Sequence, residues 1–378
     1  MTGARRGGFE PPPYPYDRLD RFRALADEHE GGVVDLSVGT PTDAPPPAAV
    51  VALGSSDAER GYPPSVGTAA FRAAATGWMQ RRLGVEVAPE AVAACIGTKE
   101  FVAGVPQWLR LRDPARDTVL YPAVAYPTYE MGAILADCRA VAVGVDDAWR
   151  LDLSTVSADD AARALCLWVN TPANPTGALD DLADVAEWGR AHDVPVFSDE
   201  CYIELTWDGP PRTILANGRD GFDGLVAVHS LSKRSNLAGL RVGFYAGDPE
   251  LVHYLSEVRK HAGFMTPGPI QAAAVAALGD DAHVDEQRRR YAERLRFFRD
   301  VLARAGIKCD PPGGSFYLWA EASDGDAWAA TEMLARDGGV LVSPGDFYGA
   351  AGASHLRIAM VQPLERLELV ADRLAAHA

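Results

Sequence analysis

The chain has 378 residues, 48% hydrophobic and 23% charged, which suits a globular protein with a large core and excludes fibrous or disordered classes. A formal charge of −16 opposes any general affinity for nucleic acid or anionic membrane surfaces, and no basic block reverses it locally. Five cysteines (Cys95, Cys138, Cys166, Cys201, Cys309), odd in number and without a C-x-x-C pair, suggest neither a disulfide framework nor a structural zinc site.

The N-terminal stretch MTGARRGGFEPPPYPY carries two arginines with no apolar segment behind them, and no run approaches about 18 apolar residues. A cytoplasmic protein that does not span a membrane is expected. After the Pro-rich arm, Asp17 to Glu30 reads as a short helix, and VVDLSV (Val33 to Val38) as a strand running into the loop GTPTDAPPP. From about residue 45 to 275, helical stretches alternate with the apolar runs AVAACI, DTVLYP, RAVAVGV, RALCLWVN, VPVFSD, GLVAVHS and LRVGFYAG. Several lack polar alternation, as strands covered by helices on both faces do. This predicts an α/β domain over 45–275 with a mostly parallel sheet. Beyond it come a charged helix (Asp285 to Arg304), a strand in PPGGSFYLWAEA, a helix, the strand HLRIAM and a last helix. Residues 1–44 and 276–378 are therefore expected to form a smaller α+β domain.

In open α/β sheets ligands collect at the carboxyl ends of strands, so the polar residues that follow the apolar runs carry the interest. They are GTKEF (Gly97 to Phe101), NTPANPTG (Asn170 to Gly177), SDECY (Ser198 to Tyr202) and SLSK (Ser230 to Lys233). The chain has only four lysines (Lys99, Lys233, Lys260, Lys308) among its 36 basic residues. A lysine directly behind a buried strand therefore points to a task arginine cannot perform, such as forming a covalent imine. Small residues opening a helix, serine hydroxyls and Arg241 offer an anion clamp, and Asp199 offers a carboxylate on a strand end. Lysine, carboxylate and clamp together are what pyridoxal 5'-phosphate requires. The eight histidines form no H-E-x-x-H and no ligand-like cluster, and neither a Walker A sequence nor a G-x-G-x-x-G opening a βαβ unit is present, so no metal site is expected.

With NPTG, D-x-x-Y, S-x-S-K and G-x-R-x-G in that order, the chain resembles the class I and II pyridoxal-phosphate-dependent aminotransferases of fold type I. VVDLSVGTPTDAPPP, GTKEF and AYPTYEMGA look more narrowly like the N-succinyldiaminopimelate aminotransferases of actinobacterial lysine and cell-wall biosynthesis. The resemblance implies that Lys233 carries the cofactor as a Schiff base and shuttles a proton, while Asp199 pairs with the pyridine nitrogen. It implies that Asn174 and Tyr202 bond the ring's phenolic oxygen and that Tyr126 stacks on the ring. Gly97, Thr98, Lys99, Ser230, Ser232 and Arg241 would hold the phosphate, with Tyr62 reaching it from the other subunit of a homodimer. Arg357, assisted by Gly39 and Asn174, would take the substrate α-carboxylate, and Glu100 would accept the succinyl amide N–H. The expected reaction is transamination between N-succinyl-L,L-2,6-diaminopimelate and 2-oxoglutarate. The alternatives are a general aspartate, alanine or aromatic aminotransferase, or a β-lyase on the same fold. A non-enzymatic sensor module is disfavoured, since no helix-turn-helix precedes Val33 and the charge is strongly negative.

Overall fold

The computed structural model describes residues 9–55, 57–219 and 221–377. Its strands are β1 (Val34–Asp35), β2 (Val92–Cys95), β3 (Thr118–Pro122), β4 (Arg139–Val143), β5 (Ala164–Asn170), β6 (Val196–Asp199), β7 (Leu225–Ser230), β8 (Gly243–Gly247), β9 (Lys308–Cys309), β10 (Tyr317–Glu321), β11 (Val340–Leu341), β12 (Ser343–Pro344) and β13 (His355–Ala359). The seven apolar runs between residues 45 and 275 form one sheet in the order β2-β8-β7-β6-β5-β3-β4.

The missing polar alternation has the expected cause. Every residue of β5, β6 and β7 is buried, and successive side chains enter opposite layers. Leu167, Val169, Val196 and Ala227 pack on one side with Phe71 and Trp78 of the helix Ala69–Trp78 and with Val185 of the helix Leu182–His192. Cys166, Trp168, Phe197, Val226 and Val228 pack on the other with Phe101 and Val105 of the helix Thr98–Arg112 and with Leu251 and Leu255 of the helix Pro249–His261. Each fully buried Val, Leu or Phe contributes about 1.5–3 kcal/mol, which fixes the register of all three strands.

The β3–β4, β3–β5, β5–β6 and β6–β7 pairs are parallel, whereas β8 runs antiparallel to both β7 and β2. LRVGFYAG departs from the parallel pattern because its link to β7 does not cross a face of the sheet. The link is spent on a short helix (Leu231–Arg234) and a tight turn (Ala238–Leu240). Both lie at the edge where β2, β5, β6 and β7 end.

A second, antiparallel sheet has the order β12-β13-β10-β9. Its core joins Leu318, Leu356 and Ile358 to Phe298 and Leu302 of the long helix Ala282–Arg304 and to Val34 and Leu36 near the N-terminus. VVDLSV is strand only at Val34–Asp35, paired in parallel with β11; beyond it Ala359 N donates to Leu36 O, and the chain turns toward the large sheet. The helix expected over 17–30 is a 3-10 turn (Pro15–Leu19) running into Asp20–Asp27. Pro15 sets the first turn, which fixes Tyr14 and Tyr16 on either side of it. Among the described residues no helix is long and apolar enough to cross a membrane.

Candidate active site

The strand ends that carry polar residues open into one cavity of about 310 Å³ between the two sheets. Gly39, Thr98, Lys99, Tyr126, Asn174, Asp199, Tyr202, Ser230, Ser232, Lys233, Arg241 and Arg357 all line it. Parallel register places Asn170 beside Asp199 at the ends of β5 and β6. Asn170 Nδ2 donates to Asp199 O (2.8 Å), and its Oδ1 accepts from Asn174 N (2.8 Å), so the NTPANP turn is hung on the strand that presents the aspartate.

Asp199 is buried, and its two oxygens accept from Tyr129 Oη (2.8 Å) and Cys201 N (3.2 Å). Burial raises its pKa above the usual carboxylate value, while the bonds from Cys201 and Tyr129 and the nearby Lys233 ammonium pull the other way. A cation brought to Asp199 would restore the full charge. Lys233 sits in the short helix behind β7, whose Ser230 hydroxyl caps it by accepting from Ser232 N (3.1 Å). The lysine Nζ donates to Gly39 O. Burial above all, with Arg357 and Arg241 nearby, brings its pKa down to about 8 despite Cys201 and Asp199.

Gly97 opens the helix Thr98–Arg112 with φ +74°, and a Cβ there would lie 2.2 Å from Arg241 Nη2. Backbone and guanidinium therefore approach as only glycine permits, with Thr98 alongside. Tyr202 and Tyr317 share a hydroxyl bond of 2.8 Å. Arg357, in β13, is 1% exposed and lies over the ring of Tyr317, 4.3 Å from its centroid. Burial acts against its charge, yet the oxygens of Tyr16, Tyr348, Tyr317 and Tyr202 outweigh it and the pKa rises. Behind the floor, Glu200 is pushed up to about 8 and His229 down to about 3, both chiefly by burial. With their nearest atoms 3.6 Å apart they are a neutral contact, not an ion pair.

Glu100 and Tyr62, the latter expected to act in the other subunit's site, do not line this cavity. Glu100 accepts from Ile96 N (2.8 Å) and from both Nη atoms of Arg259 (2.9 and 2.6 Å). Arg259 is 1% exposed, and a guanidinium so buried requires its carboxylate, so Glu100 is committed to this pair and not to the cavity where the substrate amide was expected. Tyr62 is 97% exposed and outside the cavity. Conversely, Tyr14, Tyr16, Tyr129, Cys201 and Tyr317 line the cavity without having been singled out. Tyr129 was legible as the second tyrosine of Y-P-x-Y, in the first turn of the helix Thr128–Leu135 that follows Tyr126. The Pro-rich arm gave no such signal for Tyr14 or Tyr16.

A lysine with a lowered pKa, a buried carboxylate, a glycine-opened helix start with an adjacent arginine and a second buried arginine with no acidic partner among the described residues make a set that fits pyridoxal 5'-phosphate. On this mixed α/β sheet they define a fold type I pyridoxal-phosphate enzyme. The chain belongs to the family described as aminotransferase class I and II, whose profile matches residues 31–374. It is 44% identical to the 4-dedimethylamino-4-oxo-anhydrotetracycline transaminase OxyQ of Streptomyces rimosus over 97% of this chain and 99% of that one. It is also 44% identical to the probable aminotransferase Rv1178 of Mycobacterium tuberculosis, covering 98% and 87%. A solved structure of a probable N-succinyldiaminopimelate aminotransferase from Thermus thermophilus superposes with a TM-score of 0.87 at 30% identity, covering 96% of this chain and 100% of that one.

The protein is thus an aminotransferase that uses pyridoxal 5'-phosphate. The bound cofactor supplies the electron sink that lets the substrate Cα–H ionise.

Proposed function

We propose that the enzyme transaminates N-succinyl-L,L-2,6-diaminopimelate, with 2-oxoglutarate as the returning acceptor. The observation that carries this reading is a cation in the cavity beyond Lys233, Arg241 and Arg357. It is Lys99, which the resemblance puts on the phosphate and which is assigned here to the far carboxylate of the substrate instead. Lys99 lies between the rings of Tyr14 and Tyr126, 5.6 and 5.5 Å from their centroids, and pairs with no carboxylate among the described residues. Burial opposes its charge, but Tyr126, Tyr14 and Tyr16 more than offset this and raise its pKa, so it stays an ammonium. A substrate with one carboxylate on Arg357 and another at the far end of its side chain suits two such cations. The likeness to the Thermus structure supports the same choice.

In this reading Lys233 holds the cofactor and moves the proton at Cα, and Asp199 answers the charge of the pyridine nitrogen. Asn174 and Tyr202 face the phenolic oxygen, Tyr126 the ring, and Thr98, Gly97, Ser230, Ser232 and Arg241 the phosphate. Gly39 helps Arg357 with the α-carboxylate. The division of the chain near residues 45 and 275 into a large and a small domain belongs to the same proposal. A homodimer completes it: Tyr62 is 97% exposed, and Val50 and Val51 are 52% and 67% exposed, apolar surface that a partner subunit would cover. Sedimentation equilibrium should give a mass twice 40.4 kDa; a fully active monomer at high dilution would exclude the dimer.

The substrate is tested by comparing kcat/KM for the succinylated donor with aspartate, alanine and phenylalanine. The expected preference exceeds about tenfold, or about 1.4 kcal/mol, and Lys99→Met should erase most of it. A smaller preference would leave a general aminotransferase as the better reading. A second reading, amination of a ring ketone, has the 44% identity to OxyQ in its favour, so 4-dedimethylamino-4-oxo-anhydrotetracycline belongs in the same panel.

A further inference from the structure

Arg357 is a buried cation whose polar partners among the described residues are all neutral. Nη1 donates to Asn174 Oδ1 (3.0 Å), and Nη2 to Ser37 O and to Tyr16 Oη (3.1 Å), while Nε has no partner. Its Cζ lies over the rings of Tyr317 and Tyr348, 4.3 and 4.7 Å from their centroids. Of these partners only Tyr16 comes from the N-terminal arm. Its ring is held edge-on by Phe347 (5.5 Å between centroids) and tilted against Tyr14 (5.3 Å), and its hydroxyl lies 3.0 Å from that of Tyr348.

A phenol oxygen has two acceptor positions and one proton. When Arg357 Nη2 donates into one position and Tyr348 Oη into the other, the Tyr16 O–H is left over. Tyr16 lines the cavity, so that proton has the cavity in reach. Both Nη2 hydrogens are given to Ser37 O and Tyr16 Oη, so an anion that binds Nη2 takes the place of the Tyr16 oxygen there and comes within reach of its O–H. A hydrogen bond from a hydroxyl to a carboxylate is among the stronger ones a protein makes.

We propose that Tyr16 donates this hydrogen bond to the carboxylate held by Arg357, and so selects substrates that carry an α-carboxylate over amines that lack one. The arm is then fastened across the site whenever an acid is bound, in both half-reactions, since amino donor and 2-oxo acceptor share this group. The inference rests on the assignment of Arg357 to the α-carboxylate and is independent of which side chain follows.

The test uses Tyr16→Phe, which keeps the ring and its packing and removes only the hydroxyl, on the cofactor-loaded enzyme. Glutarate, which has carboxylates but no reacting group, serves as the binding probe. Its dissociation constant should rise about tenfold, as should KM for both the amino acid and the 2-oxo acid, with a smaller fall in kcat. The preference for alanine over ethylamine should drop by a similar factor. Glutarate binding that is unchanged or tighter would show that the phenol merely covers Arg357 and would overturn the proposal. An equal loss for ethylamine and alanine, marking a purely structural role, would do the same. Arg357→Lys, measured in parallel, separates the two assignments: undiminished glutarate binding there removes the Arg357 reading itself, whereas a loss in Arg357→Lys without one in Tyr16→Phe removes only the role of Tyr16.

Discussion

Lys233→Ala should lower transamination by roughly 10⁴-fold or more, because a positioned proton carrier alone supplies about 10²–10⁴ and the covalent hold on the cofactor goes with it. The position of Lys233 makes it hard to replace. It stands one turn behind Ser230 and lines the cavity together with Tyr202, Asp199 and Arg357. Its neighbour Arg234 anchors the turn from behind, giving Nε to Glu204 and Nη1 to Ala277 O (3.0 Å). A water molecule entering the space left by the side chain would have neither the basicity nor the fixed approach of the amine. The same burial gives a second readout. With its pKa brought down to about 8, the amine of the cofactor-free protein should become nucleophilic as pH rises through about 8, well before an ordinary lysine does near 10.4. Reaction with an amine-specific reagent, located by peptide mass, should follow that midpoint. Full activity in Lys233→Ala, or labelling of Lys233 only above about pH 10, would remove the residue from its role.

The second large effect belongs to Asp199. Asp199→Ala should slow removal of the substrate Cα proton by about 10²–10³, the loss seen when one preorganised charge stabiliser is deleted. The carboxylate accepts from Tyr129 and Cys201, which leaves its charge directed at whatever cation enters the cavity. Alanine removes that charge and leaves the buried Tyr129 hydroxyl without its acceptor, so some loss of stability should accompany the loss of rate. Asp199→Asn keeps an acceptor for Tyr129 and separates the two effects: its stability should return while its rate stays low. A rate and a primary isotope effect with Cα-deuterated substrate both equal to wild type would rule the role out.

Much of this was readable along the chain. The apolar runs without alternation became the buried strands of one sheet, and the polar residues directly behind them, from Thr98 to Lys233, meet in one cavity. Both follow from local causes. A strand covered on both faces must be apolar throughout, and a parallel sheet delivers the residues after its strands to one edge whatever the intervening helices contain. The motif order was sufficient for the family and for the cofactor.

Contacts between distant segments were decided only by the tertiary structure. Glu100 follows the phosphate-type helix start and read as a site residue, yet it is the counter-ion of Arg259, 159 positions away, because a buried guanidinium must be paired. β8 reversed direction because its connection stayed at the edge of the sheet, which its apolar composition did not reveal. Tyr16 lies 341 residues from Arg357 in sequence and reached it only when the arm folded onto the small sheet. Periodicity and spacing report what a residue does to its own helix or strand. The partner that satisfies a buried charge or hydroxyl is fixed by which surfaces come together, and the sequence states that nowhere locally.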